Sequence, residues 1–197
     1  MFSEWSSIKA FGALDPGSNP GGAIMIEVLR LGHRRLRDHR ISTHCGLVAR
    51  AFDASKIIYS GEHDSSLLDS INNVHKKWGG SFSSRYVEKD INFIENYRGV
   101  KVHLTMYGLP IQKHIKNIRK HKKILLIVGG EKVPGEVYKL ADYNIAVGHQ
   151  PHSEVAALAI FLHEYFQGKE LSKTFPKARL KILPHERGKN VMEVTTK

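Results

Sequence analysis

Apolar residues along this chain form short continuous runs that alternate with amphipathic stretches. Strands buried on both faces have such runs, and the stretches between them have the 3.6-residue period of helices. The runs predict strands at 26–31, 56–60, 82–87, 100–105, 124–128 and 143–147. Regular alternation of strand and helix is typical of an α/β fold with a parallel sheet flanked by helices.

The helix starts are marked by capping residues. Asp64 is the expected N-cap of a helix that extends to Trp78, and Pro134 opens a short helix between the last two strands. A long helix is predicted from Ser153 to Phe166, and Ser153 is expected to be both its N-cap and a pocket wall. An arginine-rich loop over 34–40 is expected to precede a helix that Ser42 or Thr43 caps and that ends at Phe52.

The two ends of the chain differ from its middle. Six of the eleven residues from Gly12 to Gly22 are Gly or Pro, so residues 1–24 are predicted to be a disordered leader or an added segment. The folded domain is expected to cover 25–197, a length that suits one α/β domain. Runs at 180–183 and 191–194 predict a C-terminal hairpin extension.

The net charge of +11 is concentrated in three parts of the chain. No acidic residue occurs between Lys101 and Gly130, where a helix that begins near Pro110 is expected to carry six cations. The three clusters are Arg30, Arg34, Arg35, Arg37 and Arg40; Lys113, Lys116, Arg119, Lys120, Lys122 and Lys123; and Lys173, Lys177, Arg179, Lys181, Arg187 and Lys189. Such clusters indicate a polyanion partner, most often nucleic acid; the alternative is a solvated basic surface.

Several function classes are disfavoured by composition. The longest apolar run, 155–162, is too short to span a bilayer, and no secretory signal pattern is present, so we expect a cytoplasmic protein with no membrane partner. A single Cys45 excludes a disulfide framework and a cysteine-rich zinc site. No third ligand has metal-site spacing from His149 and His152, so no metal is predicted.

Two neighbouring strands end in glycine, at Gly129 and at Gly148. Ligands of open parallel sheets bind at the carboxyl ends of strands, so these turns predict a pocket; the alternative is two ordinary strand-to-helix turns. Phosphate-binding glycine motifs are missing, and the carboxylate of Glu131 would repel a polyphosphate. The pocket therefore favours a ligand that is neutral or cationic at its reactive end.

Long strings of the sequence resemble one known family. These are VHLTMYG, IVGGEKVP and YNIAVGHQPHSEVAALA, together with MIEVLRLGHRR, RISTHCGLVARAF and the tail string KILPHERGKNVMEV. They resemble the archaeal tRNA methyltransferases that modify the ribose 2′-hydroxyl of the cytidine at position 56, in the T-loop, and that belong to the SPOUT class. The resemblance covers the chain from residue 25 onward.

The resemblance implies a SPOUT-type parallel sheet with a C-terminal deep trefoil knot, an exception to the rule against threaded chains. It also implies a homodimer with active sites near the dimer interface, and S-adenosylmethionine as the cofactor. The implied cofactor-binding residues are Leu104, Gly129, Gly130, Glu131, Lys132, Val133, Val147, Gly148, His149, Gln150, Pro151, His152, Ser153 and Glu154. The chain departs from the usual motifs at His44 and His149, where Asn is expected, and at Gly130, where Ala is usual.

By the same resemblance, Arg50 is the catalytic candidate. Because a guanidinium is a poor base, orienting the substrate phosphate is the role we expect for it; the alternative is a surface helix arginine. The predicted RNA-binding residues are Arg34, Arg35, Arg37, Arg40, Lys113, Lys116 and Lys120. Tyr107 is expected either to stack on a splayed base or to form a pocket wall.

The sequence thus predicts an enzyme that methylates the ribose 2′-hydroxyl of cytidine 56 of tRNA with S-adenosylmethionine. Two alternatives remain open at this point. One is a non-enzymatic basic RNA-binding protein on a vestigial SPOUT fold. The other is a SPOUT enzyme that methylates a different tRNA nucleotide or a base.

Overall fold

The computed structural model describes residues 23–130 and 132–194, which form a parallel sheet flanked by helices. The strands are β1 Met25–His33, β2 Lys56–Gly61, β3 Ser83–Tyr86, β4 Val100–Pro110, β5 Lys123–Val128 and β6 Tyr143–Ala146, with a small hairpin of β7 Leu180–Ile182 and β8 Val191–Glu193. The helices are α1 Arg35–Ala51, α2 Ser65–Trp78, α3 Asp90–Glu95, α4 Ile111–Ile118, α5 Gly135–Leu140 and α6 Glu154–Phe166, followed by a 3₁₀ turn at Lys169–Ser172.

The first six strands form one sheet in the order β3-β2-β1-β5-β4-β6, and every neighbouring pair is parallel. The predicted parallel α/β sheet is therefore confirmed. Because all six strands are parallel, their carboxyl ends lie at one edge, and the turns that follow β5 and β6 meet there.

Side chains alternate between the two faces of the sheet and build two cores. Ile26 and Val28 of β1 pack against one side, with helices α1, α2, α4 and α6. Leu29 and Leu31 pack against the other side, where Ile94 of α3 and Val137 of α5 complete a smaller cluster. The strands are covered on both faces, which explains their continuous apolar runs.

The predicted caps of two helices are confirmed. The Asp64 carboxylate accepts a hydrogen bond from the N–H of Leu67 at 3.1 Å at the start of α2. The hydroxyl of Ser153 accepts one from the N–H of Val155 at 3.2 Å at the start of α6.

The prediction of a loop over 34–40 is wrong, because α1 begins at Arg35 rather than at Ser42 or Thr43. The N–H of Arg34 donates to Asp38 Oδ2 at 3.2 Å, and the N–H of Arg35 donates to Glu62 Oε2 at 2.8 Å. Carboxylates that satisfy free N–H groups and face the positive end of the helix dipole stabilise a helix start despite the neighbouring cations.

The basic helix is shorter than predicted. Helix α4 ends at Ile118, so Lys120 lies in the turn that follows it and Lys123 is the first residue of β5. The N–H groups of Lys120 and His121 donate to the carbonyl oxygens three residues earlier, those of Asn117 and Ile118. This is the tighter 3₁₀ pattern, and it ends the helix before the next strand.

Strand β4 is longer than its apolar run predicts and is interrupted. Leu104 and Leu109 both pair with Ile145 of β6, so residues 105–108 bulge out of the sheet. A Cβ on Gly108 would lie 2.6 Å from the carbonyl carbon of Asn144, so only glycine allows the strand to return this closely. The bulge stands at the edge where the glycine turns meet.

The C-terminal hairpin is confirmed by the antiparallel pairing of β7 with β8. The predicted leader falls mostly outside the described residues, of which Ala23 is the first. Within the described part of the chain, no helix combines the length and the apolar character needed to cross a bilayer.

Candidate functional site

A pocket of about 220 Å³ opens at the carboxyl ends of β4, β5 and β6. It is lined by His103, Leu104, Thr105, Met106, Tyr107, Val128, Gly129, Gly130, Val133, Tyr138, Val147, His152, Glu154 and Ala157. The walls therefore come from the β4 bulge, both glycine turns, α5 and the start of α6. This is the edge of the sheet at which the sequence predicts a pocket.

The two glycines after β5 pack closely against neighbouring side chains. A Cβ on Gly129 would collide with the side chain of Val133, and a Cβ on Gly130 would lie 3.3 Å from Nη1 of Arg30. Neighbouring side chains thus fill the space that a side chain would need at either position, and one of them, Val133, lies on the pocket wall.

A buried ion pair holds the start of α6 against β1. Nη2 of Arg30 lies 3.1 Å from Oε1 of Glu154, and Arg30 is 1% exposed. Nη1 of Arg30 also donates to the carbonyl of Leu31. Arg30 therefore belongs to the interior, and its assignment to a polyanion-binding surface cluster is wrong. A buried guanidinium needs this carboxylate partner.

A polar network lies in the wall formed by β4, β6 and α5. His103 is fully buried, and its Nδ1 is 2.9 Å from Oδ1 of Asn144. Its ring meets the ring of Tyr138 edge-on, with centroids 4.7 Å apart. The hydroxyl of Tyr138 is 3.1 Å from that of Thr105, in the bulge. Burial lowers the pKa of His103, an effect that the Asn144 contact opposes.

His149 ties the turn after β6 to the β4 bulge. Its Nε2 donates to the carbonyl oxygen of Gly108 at 3.0 Å, although its side chain is exposed. This hydrogen bond fixes the position of the bulge relative to the turn beside the pocket. This contact gives a structural role to a residue that departs from the expected motif.

The implied cofactor residues divide into two groups. Those on the pocket wall are Leu104, Gly129, Gly130, Val133, Val147, His152 and Glu154. Those off the wall are Lys132, Gly148, His149, Gln150, Pro151 and Ser153, while Glu131 lies outside the described residues. Ser153, predicted to be both a cap and a pocket wall, is only the cap.

Sequence reasoning missed six wall residues: His103, Thr105, Met106, Val128, Tyr138 and Ala157. Thr105 and Met106 reach the wall because of a bulge that no local pattern indicates. His103 did carry a signal, since it is a lone histidine within an apolar strand. Tyr107, for which two roles were predicted, lines the pocket rim and is 76% exposed.

Arg50 lies apart from this pocket. It is 8% exposed, its Nη2 donates to the carbonyl of Gly79 at 2.8 Å, and its guanidinium stacks 4.6 Å from the ring centre of Phe175. Its Nε is buried without a hydrogen-bond partner among the residues described. Burial lowers the pKa of Arg50. The group is held in place by its own chain.

The predicted RNA-binding cations lie on two helices and one turn. Arg34 pairs with Asp38 at 2.8 Å at the start of α1, while Arg35, Arg37 and Arg40 are exposed on the same helix. Lys113 and Lys116 are exposed on α4, and Lys120 is exposed in the following turn.

A second buried polar cluster fixes α1 against β1 and α2. His33 lies between the hydroxyl of Ser42, 2.9 Å away, and the Asp64 carboxylate, 3.3 Å away. His39 also bonds to Asp64, at 3.0 Å. Ser42 is fully buried, so the cluster presents no nucleophile to solvent. Burial raises the pKa of Asp64, but hydrogen bonds from Ser66, His39 and its other neighbours outweigh burial and hold that pKa below its usual range.

Histidines and carboxylates do not gather into a metal site: across 23–130 and 132–194, no three His, Cys, Asp or Glu side chains are grouped as metal ligands.

Comparisons with known proteins give the same fold and a family. Residues 78–192 match the family model described as tRNA ribose 2′-O-methyltransferase, aTrm56. The tRNA (cytidine(56)-2′-O)-methyltransferase of Methanopyrus kandleri is 52% identical over 167 residues, 83% of this chain and 94% of that protein. The same-named protein of Thermococcus kodakarensis is 50% identical over 176 residues, 86% of this chain and 98% of that protein.

Among solved structures, the fold resembles that of the SpoU methyltransferase AviRb of Streptomyces viridochromogenes, which was determined in complex with the cofactor AdoMet. The TM-score is 0.55 at 17% identity, over 75% of this chain and 59% of that one. At this identity the likeness concerns the fold alone.

Proposed function

The chain belongs to the tRNA ribose 2′-O-methyltransferase family aTrm56, and we propose on this basis that it methylates the 2′-hydroxyl of cytidine 56 of tRNA with S-adenosylmethionine as the methyl donor. The observation that carries the proposal is the pocket at the glycine turns, in a chain that is 52% identical over most of its length to a relative named for this reaction.

The residues around the pocket fit this cofactor. Leu104, Val133 and Val147 supply apolar walls that exclude water, and Gly129 and Gly130 line the same pocket. Glu154 offers a carboxylate whose position Arg30 fixes. When bound, S-adenosylmethionine supplies an electrophilic methyl group on a sulfonium. The chain's own contribution is to position the nucleophile and keep water out.

Arg50 is the proposed catalytic residue, in the role of orienting the ribose or its adjacent phosphate. Its Nη2 donates to the carbonyl oxygen of Gly79, and its guanidinium lies over the ring of Phe175. These two contacts hold the guanidinium in one position before substrate binds. Because Arg50 does not line the pocket of its own chain, this role requires that it serve the pocket of a second copy.

A homodimer is therefore part of the proposal. Leu36, Arg40, His44 and Leu47 are exposed along one face of α1, and Leu36 and Leu47 are separated by three helical turns. Leu36 is fully exposed in the single chain, as an interface residue would be. Light scattering should give the dimer mass, and the pair Leu36→Glu and Leu47→Glu should give the monomer mass. A wild-type monomer would contradict this interface.

The tRNA surface is proposed to comprise Arg35 and Arg37 of α1, Lys113 and Lys116 of α4, and Lys120 in the turn after α4, while Arg40 lies on the proposed dimer face. Phosphate contacts from lysine and arginine provide affinity and register without reading sequence. A tRNA substrate implies the compartment that holds tRNA, so we propose a cytoplasmic location, which cell fractionation would test.

We also propose the C-terminal trefoil knot. It is supported by the family and by the path of the chain, since α6 leaves the edge strand β6 and packs on α1 near the middle of the sheet. Threading adds a slow step to folding, so refolding that is complete within milliseconds would contradict the knot.

The test of the function is methyl transfer from labelled S-adenosylmethionine to unmodified tRNA, followed by mapping of the product. The matched control is the same tRNA with uridine in place of cytidine 56. We expect label on the ribose of cytidine 56. Label on a base, or on another nucleotide, would replace the assignment with a different specificity. Binding of tRNA without transfer or cofactor affinity would indicate a non-enzymatic RNA-binding protein.

A further inference from the structure

Tyr107 lies in a backbone segment that is held on both sides. Its own N–H donates to Oγ1 of Thr105 at 3.4 Å, and the Thr105 hydroxyl also lies 3.1 Å from that of Tyr138. The carbonyl oxygen of the next residue, Gly108, accepts from Nε2 of His149 at 3.0 Å. These contacts fix the backbone of Tyr107 relative to α5 and to the turn after β6.

The side chain of Tyr107 is free, by contrast, and is 76% exposed. Within 23–130 and 132–194 its ring stacks on no other ring or cation, and its hydroxyl makes no hydrogen bond. One exposed apolar side chain is ordinary on a protein surface, but this ring adjoins the pocket, since Thr105, Met106 and Tyr107 are consecutive wall residues. A wall residue that is mostly exposed stands at the mouth of the pocket.

The mouth of the pocket is also where the base of a ribose substrate has to lie. The hydroxyl to be methylated is on C2′ of the ribose, and the base is attached to the neighbouring carbon, C1′. When that hydroxyl enters the pocket, the base therefore stays beside the rim. Entry into a concave site also separates the nucleotide from its stacked neighbours, and a flat protein ring can replace the stacking that is lost.

We propose that the ring of Tyr107 stacks on the base of the nucleotide whose ribose is methylated. This inference rests on the proposed function, because it assumes that the substrate is an RNA ribose. Every base has a π face, so Tyr107 holds the nucleotide in place without reading its identity. A free ring on a fixed backbone suits this role, because little conformational freedom is lost when the base docks.

The first test compares the tRNA affinities of three variants and wild type, with S-adenosylhomocysteine present. Tyr107→Phe keeps the ring, Tyr107→Leu keeps apolar bulk without a π face, and Tyr107→Ala keeps neither. We expect wild-type affinity for Tyr107→Phe and losses of about fivefold to a hundredfold for the other two. Equal affinities in all four proteins, a loss confined to Tyr107→Ala, or a loss of the same size in Tyr107→Phe would each overturn stacking.

The second test identifies the base. Unmodified tRNA is prepared with a ribose that lacks its base, either at position 56 or at one of the two neighbouring positions, and its affinity is measured for wild type and Tyr107→Leu. We expect removal of base 56 to weaken binding to wild type but not to Tyr107→Leu, which has already lost the stacking partner. Equal losses in both proteins, or a coupled loss only at a neighbouring position, would overturn the proposal.

Two further measurements separate this proposal from other roles of the ring. In Tyr107→Leu the affinity for S-adenosylhomocysteine, from calorimetry, and the mass, from light scattering, should equal those of wild type. A loss of cofactor affinity would place the ring on the cofactor, and a change of mass would place it in a dimer interface, so either result would overturn the proposal. Wild type that transfers no methyl group to tRNA would contradict the proposed function itself, whereas transfer to cytidine 56 without an effect of Tyr107 would overturn this inference alone.

Discussion

Nε2 of His149 lies 3.0 Å from the carbonyl oxygen of Gly108 and joins the turn after β6 to the bulge of β4. These two segments form adjacent parts of the pocket rim. An exposed hydrogen bond therefore connects two segments on which the shape of the pocket depends.

The first prediction concerns this contact. His149→Ala should lower the affinity for S-adenosylhomocysteine by about threefold to tenfold, because the bulge is no longer tied to the turn. Thermal stability should change little, since the side chain is exposed. Calorimetry measures the affinity, and His185→Ala, an exposed histidine in the tail, is the control. Equal affinities in His149→Ala and wild type would show that the contact does not shape the pocket.

The second prediction concerns the Arg30–Glu154 pair, whose two members differ in exposure. Glu154→Ala leaves a guanidinium that is 1% exposed without its partner, so it should cost about 3–5 kcal/mol in the free energy of unfolding. Arg30→Met should cost less, because the remaining carboxylate is 26% exposed and can be hydrated. Urea denaturation measures both.

The double variant provides the control for this pair. Arg30→Met combined with Glu154→Ala should be more stable than Glu154→Ala alone, because no buried charge remains. Strictly additive losses would indicate that the two residues do not interact.

The third prediction tests whether Arg50 acts across a dimer. Arg50→Ala and Gly129→Val should each be inactive, the second because a side chain at position 129 meets Val133. Mixing the two after joint unfolding and refolding should restore roughly a quarter of wild-type transfer, since half of the dimers are mixed and each has one intact site. No restoration from two variants that fold would place Arg50 outside a shared site.

The fourth prediction concerns acid stability. Hydrogen bonds hold the pKa of Asp64 below its usual range in the folded protein. A depressed pKa contributes stability above the unfolded-state value, about 3.9, and this contribution is lost as the pH falls toward the folded-state pKa. The free energy of unfolding should therefore decrease with falling pH below about 5.

Asp64→Asn should flatten this acid dependence, as measured by urea denaturation between neutral pH and about pH 3. Asp69→Asn, at an exposed position on the same helix, is the matched control and should keep the wild-type slope. A wild-type slope in Asp64→Asn would show that another group governs acid unfolding.

The fifth prediction concerns tRNA binding. Replacing Lys113 and Lys116 of α4 with Gln should weaken binding to all tRNAs alike. The slope of log affinity against log salt should fall by about one for each phosphate that is no longer neutralised. Substitution of Lys181 in the hairpin offers a comparison at another basic site. An unchanged salt slope would remove α4 from the RNA surface.

Features that depend on neighbours a few residues apart could be predicted from the sequence alone. Apolar runs indicated six strands in their correct places. Asp64 and Ser153 could be predicted as caps because a capping side chain bonds to an N–H only two or three residues further along the chain. The glycines after β5 and β6 marked the edge of the sheet at which the pocket lies.

Features that depend on residues distant along the chain required the folded structure. Helix α1 starts early because Glu62, 27 positions away, accepts from Arg35, and Arg30 is interior because Glu154, 124 positions away, pairs with it. His103 faces an amide 41 positions away, and the β4 bulge appears only when β6 pairs on both sides of it. Local periodicity indicates which face of an element is buried, but it does not indicate which residue packs or pairs there, because that residue is brought close only by the fold.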